Sequence, residues 1–136
     1  MGARTKARKR ALDFLYSAEQ RGIELTSALS EEEQRAAAQP ARAGSWSYAR
    51  EIIAGVIEHS AEIDELIETY AQGWTITRMP ALDRAIARIG IWELAHNPNV
   101  PSSVAIAEAV EAARVYSTED SAGFLNGLLG RIASTL

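Results

Sequence analysis

Residues 4 to 10 carry Arg4, Lys6, Arg8, Lys9 and Arg10 with no acid among them. Cations grouped in this way can neutralise phosphates and release their counterions. The full chain has 14 basic and 18 acidic residues and a net charge of −4, so nine bases face eighteen acids after residue 10, a net of −9. An acidic body with one basic end repels polyanions in general and receives them at one place. The competing reading is a solubilising face at the chain terminus. Unstacked bases also need aromatic platforms. Tyr16, Tyr116 and Phe124 are the available aromatics, although such residues more commonly serve the core.

Other chemistry finds little to rest on. No GxxxxGK[ST] loop and no GxGxxG after a strand is present, and no serine sits in GxSxG. His59 and His96 fall in different helices without matched carboxylate spacing, which favours structural or surface roles over metal binding. Glu58, Glu62, Asp64, Glu65 and Glu68 read as a solvated helix face, or as a docking surface for a basic partner. The chain has no cysteine, which excludes disulfides and thiolate metal sites and fits a reducing cytoplasm. Neither a signal-peptide layout nor an apolar run of about 20 residues occurs. These residues suggest no enzyme, no cofactor and no metal.

The elements that must hold the cations are helical. Ala7, Ala11, Phe14, Leu15 and Ala18 share one face of a helix expected from about Thr5 to Gln20, stopped by Gly22. Lys6, Lys9, Arg10 and Asp13 then lie on the opposite, wet face. Ser30 and Glu33 have capping-box spacing, so residues 23 to 44 read as a short exposed helix and a loop. A third helix spans about Ser47 to His59, and Ser60 is placed to cap a fourth, before Gly73 interrupts. Pro80 opens a helix to about His96 whose apolar positions cover more than one face, which puts it centrally. Residues 97 to 101 break the chain, and Pro101 opens a helix ending near Ser117. Thr118, Glu119 and Asp120 read as the acidic first turn of the last helix, with Gly123, Gly127 and Gly130 expected in close helix packing. Strand patterns are missing, so the fold class is all-α in one domain.

Four blocks in order, spanning almost the whole chain, resemble the NusB family of transcription antitermination factors. They are Arg4 to Tyr16, Leu82 to Leu94, Val100 to Val110 and Ser117 to Leu129; residues 23 to 44 carry no recognisable match. The resemblance implies about seven helices in two small packed bundles, near residues 1–75 and 76–136, within a single RNA-binding domain. It also implies binding to boxA RNA of nascent ribosomal-type transcripts, a heterodimer with the ribosomal protein NusE, and loading onto transcribing RNA polymerase. No catalysis or cofactor is implied. Position by position, phosphate binding falls on Lys6, Arg8, Lys9 and Arg10, with Arg4 at the edge. Asp120, Phe124 and Asn126 correspond to a block near where bases are read, and Tyr16, Tyr70 and Asp83 to positions facing NusE. Ala107 and Ala87 depart from the asparagine and leucine expected there.

Two further readings stand beside this one. The chain could be a helical scaffold that binds proteins only, its basic helix gripping an acidic partner. It could also be the recognition domain of an RNA-modifying enzyme, which a chain ending at Leu136 leaves without a catalytic domain. Self-association through the basic helix and its apolar neighbours is open.

Overall fold

The computed structural model describes residues 2–136, the Arg42 side chain excepted. Seven α-helices and no strands occur among the described residues: α1 Ala3–Arg21, α2 Leu25–Ala38, α3 Ala43–Glu58, α4 Ser60–Tyr70, α5 Ala81–His96, α6 Ser102–Tyr116 and α7 Ser121–Ala133. Short 3₁₀ turns at Pro40–Arg42 and Ile76–Arg78 join α2 to α3 and lead into α5.

α1 buries Ala7, Arg8, Ala11, Leu12, Leu15 and Ala18, which lie along one stripe. Gly22 ends it at φ 65°, where the Gly22 N–H reaches the Glu19 carbonyl and the Ile23 N–H the Ala18 carbonyl. This is the paired pattern of a left-handed helix stop, in which a Cβ would be strained.

α5 runs through the middle and touches α1, α3, α4, α6 and α7. Residues 85 to 93 are all buried except Arg88, as its all-round apolar pattern requires. These five helices wrap around it, with α1 on α3 and α6 on α7, and α2 packs against α3 and α1. One continuous core includes Leu12, Ile53, Ile67, Ile91, Leu125 and Ile132.

Three local expectations are corrected. Ser30 does not cap a helix; α2 begins at Leu25 and Ser30 sits inside it. Leu25 and Leu29 pack on the core and Ala36 is buried, so tertiary contact starts the helix one turn before the local signal. Ser60 is already the first residue of α4, and His59 precedes it without a side-chain cap. Thr118, Glu119 and Asp120 lie outside α7 and lead into it.

The glycines also reverse their expected roles. A Cβ on Gly123 or Gly130 would meet nothing within 4 Å, and one on Gly127 only the Arg131 side chain. The close approaches are at Gly55, where a Cβ would overlap the Trp92 indole, and at Gly90, where it would lie 3.0 Å from Leu129 Cδ1. Glycine lets α3 and α7 close onto the central helix; on α7 it leaves a low outer surface.

Candidate nucleic-acid interface

The five cations of α1 do not share one fate, because a helix turns successive residues about 100° apart. Arg4 and Lys6 are exposed. Arg4 lies over the Tyr48 ring, 4.8 Å from its centroid. Lys9 is half-buried, pairs with Asp13 at 2.6 Å one turn on, and sits 4.8 Å from the Tyr116 ring centroid. Arg10 is held by Ser45 Oγ at 3.0 Å and Glu32 at 3.6 Å, over the Trp46 ring at 4.9 Å.

Arg8 points inward with the core stripe. Its Nε donates to both carboxylate oxygens of Glu93 at 2.9 and 3.0 Å, and its Nη1 lies 3.2 Å from Glu108. Burial works against the charge, but the Glu93 hydrogen bond and the Glu93 and Glu108 charges outweigh it and raise the guanidinium above its ordinary value. Glu93 is 1% exposed and also accepts the Tyr48 hydroxyl, which in turn accepts from Asn97 Nδ2 at 3.1 Å. Burial first, then the Glu93 carboxylate, push the Tyr48 phenol well above its usual range. The Arg8–Glu93–Tyr48–Asn97 network is a satisfied buried anchor that locks α1, α3 and α5 together.

The second group gathers around the α6–α7 corner. Asp120 and Asn126 are exposed and Phe124 is half-buried. Phe124 meets Trp74 edge to face, with centroids 6.3 Å apart and planes at 67°. Trp74 is 48% exposed, the largest exposure of any tryptophan here, and was not among the residues singled out from the sequence. Its only local signal is the preceding Gly73 at φ 79°, which turns the chain there. Tyr116 closes α6 beside this corner, so the Lys9 contact links the basic helix to it.

The residues expected to face a protein partner are scattered. Tyr16 is 37% exposed on α1, and Tyr70 is half-buried at the end of α4. Asp83 is 3% exposed and accepts from Ser117 Oγ at 2.5 Å and Ser121 Oγ at 2.8 Å. It pins the α6–α7 corner to α5, a positioning task. The acidic run is partly spent within the fold: Asp64 holds Arg88 at 3.0 Å, and Glu68 accepts the Ile76 N–H at 2.9 Å. The two histidines, read from the sequence as lying in different helices without a matched carboxylate, are stacked with ring centroids 3.6 Å apart beside Glu62.

The model of the NusB family matches residues 5–134. The chain belongs to the NusB family. It is 68% identical over 133 residues to the transcription antitermination protein NusB of Leifsonia xyli subsp. xyli, covering 98% of this chain and 92% of that one. It is 60% identical to the corresponding protein of Clavibacter sepedonicus, with 98% of each covered. Among solved structures, T. maritima NusB superposes with a TM-score of 0.80 at 33% identity, covering 96% of this chain and 90% of that chain. A structure of antitermination factors NusB and NusE in complex with dsRNA contains a chain that superposes with a TM-score of 0.80 at 25% identity, with 98% of both chains covered. The all-α NusB-like fold expected from the four blocks is the fold observed.

Proposed function

We propose that this chain is an RNA-binding transcription antitermination factor. It binds boxA of nascent ribosomal-type transcripts together with NusE and joins the RNA polymerase complex that resists premature termination. The carrying observation is charge placement: Arg4 and Lys6 project from one helix of a protein otherwise rich in acids. The likeness to relatives named for antitermination, and to a NusB solved with NusE and RNA, supports the same reading. Within it, Arg4, Lys6 and Lys9 contact phosphates, while Arg8 and Arg10 act from behind by fixing the helix. Phe124, supported by Trp74, offers a ring face to a base, and Asp120 and Asn126 bond to base edges or backbone. Tyr16 and Tyr70 contribute to the NusE side, and Asp83 orients the corner between the two surfaces.

The assignment extends to the whole of residues 1–136 as one binding unit, with bundles near 1–75 and 76–136 that share the core through α5. It is a non-catalytic reading, supported by relatives that carry an antitermination name. We place the protein in the cytoplasm, where transcripts are made; no helix of the structure is long and apolar enough to cross a membrane.

The test is binding of the chain, with and without NusE, to boxA and scrambled RNA. Tighter binding to boxA, strengthened by NusE, is expected, and Phe124→Ala or Trp74→Ala should weaken it by about 1–3 kcal/mol per lost stacked base. Equal affinity for boxA and scrambled RNA in both conditions refutes the function. A protein-only scaffold is the second reading. It is favoured by the internal use of Arg8 and Arg10, and it predicts NusE capture with no RNA affinity.

A further inference from the structure

His59, Glu62 and His96 come from three places in the chain and converge at one. His59 is the single residue between α3 and α4, Glu62 lies in the first turn of α4, and His96 ends α5. Glu62 Oε2 lies 3.6 Å from His59 Nδ1 and 3.1 Å from His96 Nε2. All three ligating atoms fall within 4.8 Å of one another. The side chains are 28%, 49% and 25% exposed, so the group opens to solvent.

These spacings suit a transition-metal ion. Zn²⁺ takes imidazole nitrogen at about 2.0–2.1 Å and carboxylate oxygen at about 2.0–2.2 Å in tetrahedral geometry, which sets ligand–ligand edges of about 3.3 Å. The observed 3.1 and 3.6 Å edges bracket that value. The third edge, between the two rings, is no longer than 4.8 Å; because the rings are stacked at an interplanar angle of 11°, both turn out of the stack to aim their nitrogen lone pairs at one ion. Two neutral imidazoles with one carboxylate select Zn²⁺-class ions over Mg²⁺ or Ca²⁺, which demand oxygen. Glu58 Oε2 stands 3.8 Å from His59 Nε2, the ring nitrogen that faces away from the ion, on the side where ligating histidines commonly find a carboxylate partner.

We propose that His59, Glu62 and His96 form a binding site for one Zn²⁺-class divalent ion, with water in the fourth position. The ion ties the α3–α4 junction to the end of α5, on surface residues that the RNA reading does not use. RNA recognition and metal binding are thus separable properties of the chain.

The test uses the tag-free chain, which has only two histidines, so its imidazole NMR spectrum contains only two ring systems. One equivalent of Zn²⁺ should shift the ring nitrogens of both histidines together and saturate at 1:1. An excess of Mg²⁺ should shift neither. Loss of an outer partner alone costs roughly 10–100-fold in metal affinity, so His96→Gln or Glu62→Gln should weaken binding at least about tenfold. Circular dichroism on each variant separates ligand loss from unfolding; His59→Gln provides a second variant should His96→Gln lose its helicity. A shift at one ring only, no saturation, or Zn²⁺ affinity unchanged in folded Glu62→Gln and His96→Gln chains overturns the site.

Discussion

The salt dependence of RNA binding separates the cations that meet phosphate from those that build the fold. Each phosphate contact to single-stranded RNA contributes a slope of about −0.7 in log K against log salt. Five contacts would give about −3.5, a loss of roughly 130-fold between 50 and 200 mM salt. The structure argues for three. Freeing Arg8 would leave Glu93, 1% exposed, as an uncompensated buried charge, at a cost of about 3–5 kcal/mol. Arg10 would abandon Ser45, Glu32 and the face of Trp46, a ring contact alone worth about 0.5–2 kcal/mol. Lys9 gives up an exposed pair with Asp13, worth about 0–1 kcal/mol, which a phosphate replaces, and its place over the Tyr116 ring, worth about 0.5–1 kcal/mol. Arg4, Lys6 and Lys9 then yield a slope near −2, a loss of roughly 20-fold over the same range. Fluorescence anisotropy of labelled boxA RNA, with salt varied at fixed pH, measures it. Reversing Lys6 to Glu should flatten the slope. A wild-type slope near −3.5 would overturn the sorting, and a slope near zero would remove the basic helix from RNA binding.

The buried network yields a stability test. Arg8→Met should destabilise by about 3–5 kcal/mol in urea denaturation, with Arg8→Met/Glu93→Leu recovering most of the loss; equal stability of wild type and the single variant would contradict the anchor. Gly55→Ala should cost at least about 1–3 kcal/mol, because Trp92 is enclosed and its indole occupies the space of the new Cβ, and a cost under half a kcal/mol would show that the packing yields. The Tyr48 phenol is raised in the fold above its ordinary value of 10.0, so the folded state retains its proton when the unfolded chain releases it. That contribution is complete below pH 10 and is lost as pH rises above it. Tyr48→Phe should therefore show a shallower alkaline decline in stability, and identical alkaline profiles would count against the coupling.

The helices, their order and the central place of α5 were legible in the sequence, because helix periodicity and Pro or Gly stops are local and repeat over many residues. So was the basic run, and the four blocks identified the family. Local signals misled where tertiary packing was stronger. Capping chemistry at Ser30 lost to the Leu25 and Leu29 contacts, and glycine spacing on α7 suggested packing that Gly55 and Gly90 provide instead.

Sequence alone determined that positive charge collects on one amphipathic helix of an otherwise acidic chain. Only the tertiary structure decided which of those charges faces water. Arg8 and Glu93 are 85 residues apart, and His59 and His96 stand on separate helices; no periodicity relates such pairs. Pairing across that distance depends on how the helices rotate against one another, which is set by the packing of the whole core.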